Sequence, residues 1–341
     1  MKKRLLILFT SIVLVLLAGG GLISYLLFYT YPVQTSKTSF IFIDEDDTFD
    51  SICVKMERDL LAQSLTGFKF LGSVSNYPQH IHSGAYRFSK ADNTFKVFRS
   101  LKAGHQTPVK MVIPSVRTVD QLIKRVAPQI MADSADIAQL LNDSAFCSKL
   151  GFNQATLPAL FIPNTYEVYW NMDARAFIKR IQREYNSFWN EKRKKKAEAL
   201  QITPLEVSIL ASIVEEETAN NAEKPQVAGL YLNRLKIGMP LQADPTIKFS
   251  MQDFGLRRIL FKHLEVESPY NTYKYAGLPP GPIRIPSVVG LESVLNRADH
   301  DYLYMCAKED FSGTHNFAKS LSVHQNNARR YQQALNRRKI R

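Results

Sequence analysis

Three consecutive carboxylates, Glu215, Glu216 and Glu217, close the segment LASIVEEET at positions 210–218. A carboxyl group at the end of a buried helix can serve as a general acid, because burial disfavours its charged form and raises its pKa. The residues before the triplet favour such a helix. Thr203 can cap it, Pro204 suits the first helical position, and Glu206 completes a capping box. Ile209 and Ile213 share one face, with Val207, Leu210 and Val214 on the next, so most of the helix surface is apolar. Ala211 and Ser212 lie one turn before Glu215, and Ser208 a turn earlier. These small residues leave room for a ligand to approach Glu215. From this helix alone, solvated charge explains the triplet equally well.

The downstream segments shift that balance. They are NRL at 233–235, GMPLQADPT at 238–246, SPYNTY at 268–273 and GLPPGPI at 277–283. In order and spacing the series resembles the endolytic murein transglycosylases, the MltG or YceG-like family of membrane-anchored cell-wall lyases. The resemblance runs from about Ser39 to the C-terminus and is densest over 210–286. Several long motifs in one order are far more specific than a lone short pattern.

The resemblance implies a chemistry that spacing alone does not show. One carboxyl group protonates the oxygen that leaves, then takes a proton from the 6-hydroxyl of muramic acid. That hydroxyl closes on the anomeric carbon and leaves a 1,6-anhydro end without using water. No metal or cofactor is required. Glu215, directly after the ASIV run, is the expected catalytic acid/base. Glu216 is expected to be exposed. Glu217 also matches a family Glu and is expected to bond nearby backbone, pair with Arg234, or raise the pKa of Glu215 by like charge.

Polar side chains on a loop stiffened by Gly and Pro suit sugar binding. The candidates are Gln242, Asp244, Thr246, Tyr270, Asn271 and Tyr273, together with Glu217. Asp244 serves equally well as a turn or helix cap before Pro245. Asn271 is the best choice for orienting the sugar or stabilising an oxocarbenium-like state. Pro279 to Pro282 is expected to form a stiff wall. His315 and His324 match a family pattern, and local hydrogen bonding is the expectation for both, since no carboxylate or Cys completes a metal set. Residues 157–166 read LPALFIPNTY, where the family usually reads like LEGYLFPDTY. Pro158 and Asn164 thus replace two usual acids, and the usual Asn before Pro286 is missing.

Two features bound the setting. The chain has 341 residues, a formal net charge of +13 and 45% hydrophobic residues, enough for an anchor and two packed domains. The basic balance points to an anionic partner, lipid headgroups or a bacterial wall, and no nucleic-acid-binding motif is present. Lys2-Lys3-Arg4 precede an apolar run from Leu5 to Phe28, about 36 Å as a helix. The run continues past Ala18-Gly19-Gly20-Gly21, which favours an uncleaved anchor over a signal peptide. The expected location is the inner (cytoplasmic) membrane, single-pass, with the N-terminus in the cytoplasm and the bulk in the periplasm. Cys53, Cys147 and Cys306 have neither metal nor redox spacing and read as small apolar residues.

The expected fold class is α+β: an N-terminal transmembrane helix, one or two LysM-like βααβ modules, and a mixed α+β catalytic domain. The expected domains are 1–31 for the tip and anchor, 32–38 for a linker, 39–150 for the LysM-like wall-binding region and 151–341 for the YceG-like catalytic domain. Strand, helix, helix and strand are read at 39–43, from 47 or 48, at 61–70 and at 83–88. The opening recurs at 109–126, which suggests a repeat. Helices are expected at 93–102, 173–196, 203–217, 223–235, 288–296 and 321–336, with a strand at 302–307. The basic runs 192–196 and 337–341 read as solvated helix faces. The function expected is cleavage of peptidoglycan glycan strands between N-acetylmuramic acid and N-acetylglucosamine, ending nascent strands near cell-wall synthases, partners implied by the resemblance. A non-catalytic wall-binding scaffold, or a hydrolytic muramidase using Glu215 and Asp244, are the rivals.

Overall fold

The computed structural model describes residues 2–256 and 258–338, which leaves 339–341 of the terminal basic run outside the described residues. Two compact units emerge, one of residues 1–111 with 167–172, the other of 112–166 with 173–341. The expected boundary at 150/151 therefore falls inside the second unit. The fold is mixed α+β, with three two-stranded sheets among the described residues.

The first unit opens with α1 (Lys2–Ser24), followed by a π-helical turn at Tyr25–Tyr29. Together they are long and apolar enough to cross a membrane, with a mean hydropathy of 2.6 over the most apolar window. None of the α1 side chains is buried in the protein. So large a bare apolar surface suits lipid rather than water. Beyond it come β1 (Ser39–Ile43), α2 (Phe49–Asp59), α3 (Thr66–Ser73), β2 (Gly84–Phe88), α4 (Thr94–Lys102) and β3 (Val109–Ile113). The strand–helix–helix–strand order is as expected. β1 and β2 pair antiparallel, with Ile41 opposite Tyr86. Alternation along β1 puts Ile41 and Ile43 into a core with Ile52, Met56, Phe68, Tyr77 and Phe98. Thr48 caps α2 through a reciprocal box with Ser51. α3 starts five residues later than expected, because Leu61 sits at φ 54°, outside helical geometry.

The second unit contains α5 (Val119–Val126), α6 (Ser134–Asn142), α7 (Ser144–Lys149) and the first residues of β4 (Asn164–Val168). Thr118 caps α5 as Thr48 caps α2, so the strand-to-capped-helix opening does occur twice. The helix expected over 173–196 is two helices, α8 (Ala174–Phe188) and α9 (Glu191–Ala199). Asn190 breaks it by capping α9, its side chain accepting from the Arg193 backbone N–H at 3.1 Å. There follow α10 (Pro204–Glu217), α11 (Lys224–Lys236), α12 (Asp244–Ser250), α13 (Phe261–Leu264), α14 (Val288–Leu295), β5 (Tyr304–Ala307), β6 (His315–Ala318) and α15 (Leu321–Arg337). The helix α12, which Pro245 helps to start, and the antiparallel hairpin β5–β6 complete a core around α10 that sequence reading left partly as loops.

The GLPPGPI stretch is fixed by close backbone approach. A Cβ on Gly281 would lie 1.9 Å from the Ala155 carbonyl oxygen. Since backbone cannot yield as a flexible side chain does, Gly281→Ala should cost about 1–3 kcal/mol of stability. The shift of the denaturation midpoint would measure it.

Candidate active site

Helix α10 is the spine of the site. Thr203 and Glu206 form the expected capping box at 3.2 and 2.7 Å, and every residue from Val207 to Val214 is buried. The core thus holds the helix rigidly and delivers its last turn at a fixed place. At 100° per residue the three carboxylates fan out, and each meets a different environment.

Glu215 turns into the protein. It pairs with the Lys224 ammonium at 3.1 Å and accepts a hydrogen bond from the Ser287 hydroxyl at 2.7 Å. The Lys224 side chain is 4% exposed. Helix α14 approaches so closely that a Cβ on Gly290 would lie 2.5 Å from Glu215 Oε2. Glu216 is not exposed as expected. It accepts both guanidinium bonds of Arg117 at 2.9 Å and one from Arg284 at 2.8 Å. A bidentate clamp of this kind ties α10 to two loops.

Glu217 turns the third way, into a polar pocket of about 210 Å³ that it lines with Tyr231, Arg234, Gln242, Asp244, Tyr273 and His315. The Tyr231 hydroxyl donates to Glu217 Oε1 at 2.7 Å. Burial pushes the Glu217 carboxyl up to about 7, and the nearby charge of Asp244 adds to it. The Tyr231 bond and the charges of His315 and Arg234 act in the opposite sense. Burial also holds the Tyr231 hydroxyl well above its usual pKa, so it remains a donor. With Oε1 accepting, Oε2 is the oxygen left to carry the proton when the carboxyl is protonated.

The walls are built to stay put. Arg234 donates to the carbonyls of Leu303 at 2.6 Å and Leu241 at 2.7 Å. Asp244 begins α12 and accepts from the Tyr273 hydroxyl at 2.5 Å. Gln242 is held at φ 49°, a left-handed conformation unusual outside glycine, with its N–H bonded to the Thr272 carbonyl at 3.0 Å. Such strain is commonly kept at binding sites. Glu223, just before α11, accepts from both the backbone N–H and ring Nδ1 of His315, at 2.7 and 2.9 Å.

A model of the YceG-like family matches residues 41–330, most of the chain. The chain belongs to that family. A Bacillus subtilis (strain 168) protein named endolytic murein transglycosylase is 26% identical over 334 residues, covering 92% of this chain and 90% of that protein. A protein of the same name from Streptococcus pneumoniae serotype 2 (strain D39) is also 26% identical. That match covers 86% of this chain but only 59% of the longer pneumococcal protein. The 2.6 Å crystal structure of a YceG-like protein from Listeria monocytogenes matches with a TM-score of 0.56 and 25% identity, covering 86% of this chain and 99% of that one.

Within this YceG-like fold, the candidates from sequence divide. Glu217, Gln242, Asp244 and Tyr273 converge on the pocket. Glu215, Thr246, Tyr270 and Asn271 do not line it. Thr246 is fully buried, and its hydroxyl is spent on the Ala243 carbonyl and Thr272. Asn271 is also fully buried. It donates to the carbonyls of Leu264 and Val266 and accepts from the Tyr273 N–H, so it shapes the loop that carries Tyr273. The Tyr270 ring packs on Phe249 at 4.7 Å. The altered positions Pro158 and Asn164 lie outside the pocket lining. Sequence reasoning missed Tyr231 as a partner of Glu217, and read the His315 bond as merely local. The signal for Tyr231 was present as a phenol on the inward face of α11, beside Val227 and Leu230.

Proposed function

We propose that this chain is a membrane-anchored endolytic lytic transglycosylase of peptidoglycan, with Glu217 as its general acid. The observation that carries the reading is the Glu217 carboxyl, raised to about 7 by burial, facing a polar pocket whose donors are already fixed. The names of the family relatives supply the substrate class. A protonated Glu217 gives its proton from Oε2 to the glycosidic oxygen between N-acetylmuramic acid and N-acetylglucosamine. The carboxylate left behind keeps the Tyr231 bond and the nearby Arg234 charge, which lowers the cost of forming it. The 6-hydroxyl of muramic acid then closes on the anomeric carbon, giving the 1,6-anhydro end, and gives its proton to a base in the pocket. Gln242, Asp244 and Tyr273 hold the sugars.

In the same reading α1 anchors the chain in the cytoplasmic membrane, with the basic Lys2–Arg4 end inside and the remainder outside. The β1–α2–α3–β2 unit acts as a LysM-like wall-binding module, a reading supported by its element order. Cleavage at the membrane surface would then end the growth of nascent strands beside the wall synthases.

A raised acid gives a pH signature of known sign. Catalysis needs Glu217 protonated, so the rate should fall as pH rises through about 7. Stability should move the same way. Between the ordinary glutamate pKa of about 4.5 and about 7, the folded chain holds a proton that the unfolded chain has lost. The contribution of this group is therefore full below that window and fades as pH rises through it. Urea denaturation of wild type and Glu217→Gln at pH 5 and pH 8 should show the variant gaining relative stability at the higher pH. A constant difference at both values would count against a raised Glu217.

A further inference from the structure

We propose that His315, held by Glu223, is the base that takes the proton of the attacking 6-hydroxyl, so that two side chains divide the proton traffic. This rests on the lytic reading above with Glu217 as the acid. Glu223 is buried at 6% exposure, and its hydrogen bonds to His315 hold its carboxyl below the usual glutamate range despite that burial. It is therefore ionised and can only accept. Its Oε1 takes the His315 backbone N–H at 2.7 Å and its Oε2 the ring Nδ1 at 2.9 Å. An acceptor at Nδ1 places the hydrogen of the neutral ring there and leaves the lone pair on Nε2. Nε2 makes no hydrogen bond among the described residues. His315 lines the same pocket as Glu217, on β6 opposite Ala307 of β5. The result is an imidazole of fixed tautomer with an unused acceptor beside the acid, the arrangement by which a buried carboxylate makes histidine a general base.

The proton balance closes. The Glu217 O–H bond breaks as its proton passes to the glycosidic oxygen. The bond from that oxygen to the anomeric carbon breaks, and its electron pair stays on the leaving sugar. A lone pair of the 6-oxygen forms the new bond to the anomeric carbon, and the hydroxyl proton passes to Nε2. The imidazolium returns this proton to the Glu217 carboxylate, which restores both groups without consuming water.

Glu223 holds the ring from the residue before α11, and Glu217, Tyr231, Arg234, Asp244, Tyr273 and Cys306 share the pocket wall with His315. The base must keep a free lone pair on Nε2 to take the hydroxyl proton. The test compares the full chain in detergent, as wild type, His315→Gln, Glu223→Gln and Glu217→Gln, on purified peptidoglycan across pH 4.5 to 9. Release of anhydro-ended fragments is the readout, and chemical denaturation of each variant the check that it is folded. His315→Gln should lose about 100-fold or more at neutral pH and keep the fall in rate above about 7 that Glu217 sets. Glu223→Gln should lose activity as well, because its amide can donate to Nδ1 and so move the ring hydrogen to Nε2. Added free imidazole should partly restore a His315→Gly variant. A lowered rate that added imidazole does not rescue would overturn the proposal, as would wild-type activity in His315→Gln. Either result can occur while Glu217→Gln is inactive, so the base can fail without the acid. An active Glu217→Gln would sink the underlying reading instead.

Discussion

Glu217→Gln should reduce release of anhydro-ended fragments by about 1,000-fold or more, leaving the folded protein bound to the wall. The amide keeps the size of the carboxyl and can still accept from the Tyr231 hydroxyl, now 2.7 Å from Oε1. It cannot give up a proton to a glycosidic oxygen. The loss should therefore appear in turnover, with substrate binding little changed. Single-turnover assays at saturating substrate would separate the two. A variant within tenfold of wild type would remove Glu217 from the chemistry.

Glu215→Gln should behave in the opposite way, with a large loss of stability and a smaller loss of turnover per folded molecule. The Lys224 ammonium is 4% exposed and pairs with Glu215 at 3.1 Å. Neutralising the partner leaves a buried charge without compensation, a change that typically costs about 3–5 kcal/mol. The Ser287 hydroxyl, which now donates to Glu215, adds to the loss if the amide turns its nitrogen toward it. Glu215→Gln combined with Lys224→Met removes the stranded charge and should recover much of the stability. Chemical denaturation of the two single variants and the double variant would measure this coupling. A Glu215→Gln protein that is as stable as wild type yet inactive would return the acid role to Glu215.

The contrast between these neighbours explains what the sequence could reveal. The buried helix, its capping box and its carboxylate end follow from Thr203, Pro204, Glu206 and the apolar run, because these act locally. The order of strands and helices in the first unit was legible for the same reason. Which of three adjacent carboxylates faces the pocket was not legible. The answer depends on Lys224, Ser287 and Tyr231, brought from α11 and the start of α14 by packing. The small residues Ala211 and Ser212 suggested an open groove beside Glu215. They are buried instead, and the Ser212 hydroxyl accepts the Ile283 N–H at 3.0 Å. Small residues at a close helix–loop contact and small residues at a ligand groove look alike in a sequence. Nor was it legible that Asn271 bonds within its own loop, since a loop asparagine that binds sugar cannot be told by type from one that pins its own loop.

The central claim is the reaction itself, strand cleavage by ring closure under one protonated carboxyl. Its most direct test is the mass of the new chain ends when the full-length protein acts on purified peptidoglycan, with Glu217→Gln alongside. The account predicts 1,6-anhydro ends from the wild type and none from the variant. Reducing ends from the wild type would make the protein a hydrolase and point to Asp244 as a second carboxylate. Anhydro ends from both proteins would place the acid elsewhere.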